Sequence, residues 1–569
     1  MPPEDDRQPP ARDEQAVSSG SNPEKSDGMG LEDEDSAEPS EIDTMTTRSS
    51  AGGEASVDGG PAPASSDEPD GADDVTYGDG DDDLTDGTLL RPMFRLAWPL
   101  VVIQLLQVTY NVGDTFWLGA LSPESVGALS LAFPLIFFLI SIGGGFTAAG
   151  AILIAQHTGA GSDKGGLIAG QTLSFITLVA IAVGLLGYYV TDPMLALLPA
   201  DAETQATVIP LAADYMRIFF LGSPFLFGFF IFVSLMRGYG NTRAPMRVMF
   251  ISVVINLVID PLLIFGVGPF PRLEIQGAAV ATVISRGVAT AIGFYILFYT
   301  DVGPDIRLEH LRPRFEYVSE ITRLGVPTAL EQSMSSLAMI AMTAMVATFP
   351  PAVVAAYGLG NRLISLAFLP AMGMGQATDT IVGQNLGAGK PERAEKATWV
   401  ASGVVAVIML GAGLIAFAFP EPIVGVFMTS GEAGTAETIH YGSIYLQIAA
   451  AMFVFMGVLQ VVLGAFRGAG NTKTALVFSV VTLWIARVPV SYYLIFVADW
   501  GTTGIWIGVV AGDVVGAIAA IAYFTRGTWK EAIIDEDDSE TEGGAVSRPE
   551  QATADSSDGE TPAAAAAEK

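Results

Sequence analysis

The sequence predicts an all-α polytopic membrane protein with twelve transmembrane helices, arranged as two six-helix lobes related by internal duplication. Three observations carry that expectation. Long apolar segments follow one another from about residue 92 to 526, the charges between them alternate in sign along the chain, and short motifs recur about 230 residues apart.

A spanning helix needs about 20 predominantly apolar residues. Twelve stretches qualify, at approximately 94–120, 126–157, 167–190, 205–236, 245–267, 276–300, 320–349, 352–386, 396–420, 436–466, 474–497 and 504–525. The connections fix their direction. Arg91, Arg95, Lys164, Arg243, Arg247, Arg307, Arg312, Arg314, Lys390, Arg393, Lys396, Lys473, Arg526 and Lys530 fall before the first segment, after the last, or in every second connection. The alternate connections carry Glu124, Asp192, Asp201, Glu203, Glu421, Glu432, Glu437 and Asp499, with Arg272 as the clear exception. By the positive-inside rule both termini are expected in the cytoplasm, on a multi-pass protein of the cell membrane.

Composition bounds the rest. The net charge of −33 belongs to the two ends: residues 1–90 hold 26 acidic against 4 basic side chains, and residues 531–569 hold 12 against 2. Between them the balance is 23 to 22. Rich in Ser, Gly, Pro, Asp and Glu, both tails are expected to be disordered, solvating extensions that repel nucleic acid and suit a cytoplasm of very high salt. No signal peptide is expected before residue 90. The absence of cysteine excludes disulfides, thiol chemistry and thiolate metal sites. No nucleophile–base pair, metal-binding His set or phosphate-cradling loop appears, so an enzyme is not expected. His157, His310 and His440 form no ligand spacing and are expected at solvated helix ends or in loops.

The duplication is legible residue by residue. Arg237-Gly238-Tyr239-Gly240-Asn241-Thr242-Arg243 recurs at an offset of 230 as Arg467-Gly468-Ala469-Gly470-Asn471-Thr472-Lys473. Arg95-Leu96-Ala97-Trp98-Pro99 matches Arg323-Leu324-Gly325-Val326-Pro327 at 228, as Gln156 and Gly159-Ala160-Gly161 match Gln384 and Gly387-Ala388-Gly389. The lobes are therefore expected at 91–303 and 304–530. Six helices is an even number, so both lobes start on one side of the membrane and are related by an axis along its normal, as in transporters that rock two halves around a cavity. The basic glycine-rich loops themselves read as tight turns and serve as markers of the repeat.

One apolar run, Val253 to Gly266, carries Asn256 and Asp260 in its middle, with Pro261 beside them. Four residues apart on a helix, the amide and the carboxylate share a face. An ionisable group at that depth costs at least about 2.5–3.5 kcal/mol on insertion scales and marks a cation or proton site by default. A turn at a helix end, with Asn256 satisfied by a neighbouring helix, is the plainer alternative.

Taken together, the two lobes, the duplicated Arg-Gly-x-Gly-Asn-Thr loop, Gln-Asn-Leu-Gly-Ala-Gly-Lys at 384–390, Tyr-Asn-Val-Gly-Asp at 110–114 and Asn-x-x-x-Asp-Pro at 256–261 resemble the multidrug and toxic compound extrusion (MATE) family. The resemblance covers roughly 91–530 and points to its archaeal, DinF-like branch, from a haloarchaeon. It implies a cation-coupled antiporter, using Na⁺ or H⁺ and no other cofactor, that exports amphipathic, often cationic organic compounds as a monomer. It also implies an ion site formed by Asp114, Asn256, Asp260 and Thr282.

Depth supports that grouping. Asp114 lies 8 residues before Ser122, Asp260 lies 9 before Pro269 and Thr282 lies 8 after Glu274, which at 1.5 Å per residue is roughly 12–14 Å from one surface. Carboxylate, amide and hydroxyl oxygens suit Na⁺, and two close carboxylates suit a proton equally. The second lobe acts as a control: Met342 stands opposite Asp114, and Ala486 and Val490 opposite Asn256 and Asp260. Polar residues kept for helix packing would recur there.

Tyr110, Asn111, Glu331 and Met342 are expected to line the substrate cavity. Tyr110 shares a face with Asp114, as donor or as wall. Glu331 resembles the acidic residue that other branches use for coupling, or it forms a structural pair. Met342, with Met334, Met339, Met345, Met372 and Met374, offers adaptable thioethers, which ordinary packing explains as well. Asp379, Arg362, Arg286 and Arg487 are candidate interhelical pairs, and Asp513 has no evident partner. Two other readings stay open, a flippase for lipid-linked precursors and a membrane scaffold or receptor. Removal of 1–88 and 535–569 is expected to leave transport intact.

Overall fold

A computed structural model describes residues 84–196, 202–428 and 434–530. The disorder expected of 1–83 and 531–569, and the markers Asp201 and Glu432, lie outside the described residues. Within them the chain is helical: α1 (Leu90–Leu121), α2 (Pro123–Gly159), α3 (Gly165–Ala196), α4 (Ala202–Leu221), α5 (Ser223–Tyr239), α6 (Arg243–Phe265), α7 (Ile275–Tyr299), α8 (Phe315–Val346), α9 (Pro351–Gly387), α10 (Pro391–Ala418), α11 (Pro420–Gly425), α12 (Thr435–Ala450), α13 (Phe453–Gly468), α14 (Thr472–Val480), α15 (Val488–Tyr492) and α16 (Gly501–Phe524). A π-helical stretch, Val481–Arg487, joins α14 to α15, and a second, Tyr493–Val497, continues α15. Eight spans are long and apolar enough to cross a bilayer alone, and the bent pairs α4–α5 and α12–α13 make two more. With α2 and α8, of 37 and 32 residues, these are the twelve expected spans.

The stretches 205–236 and 436–466, expected as single helices, are bent by 54° and 53°. At the first bend Pro224 opens α5, where it has no N–H to continue the ladder of α4. Bend two has no proline. What the two share is a glycine on a neighbouring helix: a Cβ on Gly184 would stand 2.6 Å from the Phe220 carbonyl oxygen, and one on Gly413 would stand 3.0 Å from that of Ala450. Phe220 and Ala450 correspond at the 230 offset, so the repeat extends to the packing of its bends.

The lobes meet along a seam where α2 packs on α8 and α9, and α1 on α9. Contacts there come in symmetry-related pairs. A Cβ on Gly145 would stand 2.3 Å from Ala329 N, and one on Gly373 would stand 2.5 Å from Val101 Cγ2; each residue of one contact lies 228 positions from its counterpart in the other. At the end bearing the basic loops the seam is locked reciprocally. Gln156 Nε2 donates to the Gly468 carbonyl and Gln384 Nε2 to the Gly238 carbonyl, both at 3.0 Å. A Cβ on Gly159 or on Gly387 would stand 1.9 Å from the carbonyl oxygen of Gln384 or Gln156 respectively. The duplicated loops are tight turns, with Gly161, Gly240, Gly389 and Gly470 at positive φ, and beyond that they form the closure between the lobes.

The folded unit begins before the expected boundary at residue 90. Leu84 is buried in the main core, because the chain crosses the basic end of the seam before entering α1. At the other end Trp529 is buried and stacks on Phe524 at 4.6 Å, and Lys530 Nζ pairs with Glu395 at 2.6 Å.

Candidate functional site in the N-terminal lobe

Four helices, α1, α4, α6 and α7, converge on one polar pocket. Asp114 and Tyr110 come from α1, a turn apart; Asn256 and Asp260 come from α6, also a turn apart; Thr282, Ser285 and Arg286 come from α7. All seven are buried, Asn256 and Asp260 completely. Asn256 Nδ2 donates to Asp260 Oδ1 at 3.1 Å, and both residues neighbour the Asp114 carboxyl. Tyr110 and Ser285 share a hydrogen bond of 3.1 Å, and Ser285 Oγ also reaches the Thr282 carbonyl at 2.9 Å. The helix of Asp260 ends at Phe265, with Gly266 in the left-handed region, so its depth along α6 is nearer 9 Å than the expected value.

Four oxygens in this pocket have no hydrogen-bond partner: Oδ1 of Asp114, Oδ1 of Asn256, Oδ2 of Asp260 and Oγ1 of Thr282. They belong to the four residues grouped from the sequence. Leaving a buried polar atom unsatisfied costs about 1–3 kcal/mol each, so a species that bridges them stabilises the fold. The net charge is set by one further group. Arg286 lies over the Tyr110 ring at 4.6 Å, donates to Gln107 Oε1 at 2.7 Å, and acts on Asp114 through its charge. Two carboxylates and one guanidinium leave the pocket one negative charge when both acids are ionised.

Sequence reasoning missed Tyr215. It sits on α4, buried, close to Thr282 and within the field of both carboxylates. Arg286, a candidate interhelical pair, bonds across from α7 to Gln107 of α1 and borders the pocket. Asn111 is joined to it through Gln107, whose Nε2 donates to Asn111 Oδ1 at 3.1 Å.

Glu331 stands apart from this pocket, on α8. Arg467 Nη1 pairs with its Oε1 at 2.8 Å and Ser479 Oγ bonds the same oxygen at 3.1 Å, tying α8 to α13 and α14. These contacts fit a structural pair, and the other carboxylate oxygen, Oε2, is buried without a hydrogen-bond partner. Glu331→Gln keeps an acceptor but removes the charge, and it should cost about 1–3 kcal/mol: the melting temperature and turnover fall while dependence on the coupling ion stays. Ion dependence that vanished with Glu331→Gln would move the coupling site to the second lobe. Met342 is buried in the apolar core, Met339 faces outward, and Met334 lines an apolar groove with Leu330, Val477 and Ile485. Arg487 pairs with Asp513 at 2.5 Å, which gives Asp513 its partner; Arg362 is exposed. His440 is exposed as expected, whereas His157, at the end of α2, is buried.

Twelve helices duplicated as two lobes, closed together at one end of their seam and carrying a charged pocket in one half, are the plan of an alternating-access membrane transporter. The MatE family profile matches residues 99–262 and again 327–493, starting at the same 228-residue offset that the motifs gave. The chain belongs to the MatE family. It is 30% identical over 453 residues to the probable multidrug resistance protein YpnP of Bacillus subtilis, covering 79% of this chain and 97% of that one. To the probable multidrug resistance protein NorM of Thermotoga maritima it is 27% identical over 449 residues, covering 78% and 94%. A solved transporter of the MOP superfamily from Pyrococcus furiosus has the same fold, with a TM-score of 0.70, 24% identity and coverage of 79% and 98%.

Proposed function

We propose that this protein is a cation-coupled antiporter that exports amphipathic, often cationic organic compounds by alternating access, with Asp114, Asn256, Asp260 and Thr282 as its ion site. One observation carries the reading: unpartnered oxygens on all four residues meet in a buried pocket, whose charge balance is −1 when both carboxyls are ionised. A single Na⁺ or a single proton neutralises that balance, and so does a cationic substrate. Tyr110, Asn111 and Tyr215 are assigned to the substrate side of the pocket.

The same proposal sets the basic end of the bundle in the cytoplasm, by the positive-inside rule, with both termini there and the protein a monomer in the cell membrane. It also assigns the chain to the archaeal DinF-like branch, in a haloarchaeon, on the strength of the four-residue set and the acidic tails; the two multidrug resistance proteins named above are bacterial. Lobes 91–303 and 304–530 move against each other. A pyrophosphate-linked lipid would call for a strongly basic pocket, and the one cation here is already held by Tyr110 and Gln107.

Efflux from proteoliposomes with Na⁺ and proton gradients imposed one at a time tests the mechanism. Export is expected to follow one gradient and to run backwards when that gradient is reversed. Export indifferent to both gradients would overturn ion coupling.

A further inference from the structure

Ahead of α1 the chain crosses from one lobe to the other. Leu84–Gly87 leads directly into α1, yet the C-terminal lobe holds it. Asn385 Nδ2 donates to the Leu84 carbonyl at 3.2 Å, Lys390 Nζ to the Thr85 carbonyl at 3.2 Å and to Asp86 Oδ1 at 2.9 Å, and Arg393 to the carbonyls of Asp86 and Gly87 at 2.7 and 3.0 Å. Lys390 holds the Asp86 carboxyl below the usual carboxylate range. The Asp86–Lys390 pair is exposed and contributes little. Capture of the carbonyls and burial of Leu84 contribute more. The Leu84 side chain sits beside the lock: its Cδ1 lies 3.3 Å from where a Cβ on Gly240 would stand, and Gln384 Nε2 lies 3.4 Å from that same point.

The other half of the molecule has a counterpart. The segment leading into α8 is held by α3 of the N-terminal lobe: Gln171 Nε2 donates to the carbonyls of His310 and Arg312, both at 2.7 Å, Ser174 Oγ to that of Leu311 at 2.7 Å, and Gln171 Oε1 accepts from Arg314 N at 2.6 Å. The first helix of each lobe is therefore preceded by a segment fastened to the opposite lobe. The fastening groups are not copies of one another. At the 228 offset, Asn385, Lys390 and Arg393 correspond to His157, Ser162 and Gly165, so the two lobes reach one arrangement with different side chains. A turn merely inherited through duplication would have kept the same ones.

We propose that Leu84–Gly87 is a strap that stabilises the state with the basic end closed and must release before that end opens. The strap crosses the seam ahead of α1, so its release costs the contacts named above. Removal of 1–88, neutral on the sequence reading, takes the strap away; removal of 2–83 spares it.

The test reads opening directly in the reconstituted protein. Because the chain has no native cysteine, spin labels at Asp163→Cys and Lys473→Cys, both exposed residues at the basic end, report the distance between lobes. Deletion of 2–88 and, separately, Leu84→Glu in the full chain are each expected to raise the separated population at least about fivefold. Arg393→Ala should act in the same direction, and deletion of 2–83 should match the wild type. Leu84→Glu leaves every spanning helix intact, so it decides the question even if the deletion inserts poorly. Unchanged distances in Leu84→Glu, or an equal shift on deleting 2–83, would overturn the strap. The proposal rests on alternating access, but the distance measurement needs neither ion nor drug, so failure of the antiport mechanism leaves it decidable.

Discussion

Asp114→Asn and Asp260→Asn, made singly, are each expected to abolish gradient-driven export while the protein still inserts and folds. Antiport requires ion and drug to bias the same equilibrium in opposite directions, and a ligand shifts an equilibrium only through differential affinity. The pocket supplies that competition through its single surplus negative charge. With either acid made neutral, the remaining carboxylate and Arg286 balance already, and neither Na⁺, a proton nor a cationic drug gains by binding. Coupling in such systems is typically a 5–150-fold change in affinity; in both variants it should collapse to about onefold. Equilibrium drug binding measured across ion concentrations reads this directly, beside the efflux assay. Asn keeps the shape of Asp and removes an incompletely paired buried charge, so melting temperatures should hold or rise. Wild-type coupling surviving in both single variants would sink the mechanism.

The second large effect is at the lock. Gly159→Val and Gly387→Val each drive a side chain into a backbone carbonyl of the opposite lobe, where even the first carbon would stand 1.9 Å from oxygen. Backbone cannot yield as a flexible side chain does, so the seam must separate at its basic end. Export should drop to background in both variants while ion-sensitive drug binding in the N-terminal pocket survives. Gly403→Val, with nothing within 4 Å of its Cβ position, is the control and should transport normally. A Gly387→Val protein exporting at wild-type rate would show that the lock is not part of the cycle.

These two expectations drew on the sequence to different degrees. The pocket was legible because ionisable residues in apolar spans are costly enough to stand out, and because the second lobe showed what the same positions look like without a site. Tyr215 was not legible: an aromatic in an apolar segment carries no such cost, and only the packing of α4 reveals its hydroxyl. The twelve spans followed from length and hydropathy, which report burial in lipid and say little about direction, so both bent pairs were read as straight. Half of that signal was present in Pro224, and the other half lay on neighbouring helices, at Gly184 and Gly413. The π-helical stretches around α15 were equally hidden. Three glycines of α16, Gly508, Gly512 and Gly516, lie against Ser491, Arg487 and Thr482, and that proximity arises only once two distant segments meet. Glu331 stayed ambiguous because its partner Arg467 had been read as part of a turn motif.

The reciprocal lock has a historical consequence. Gln156 reaches Gly468 while Gln384 reaches Gly238, so each half contributes one donor and one acceptor and receives the same from the other. That is the bond pattern of an isologous two-fold interface, in which a single surface patch is complementary to itself. An unfused six-helix ancestor with both ends on one side of the membrane would have carried the complete lock and closed it by pairing with a second copy. The acid pocket has no such symmetry, since Asp114, Asn256 and Asp260 face Met342, Ala486 and Val490 in the other half. Closure thus draws on both halves alike, whereas the pocket belongs to one lobe and reflects the divergence of the two.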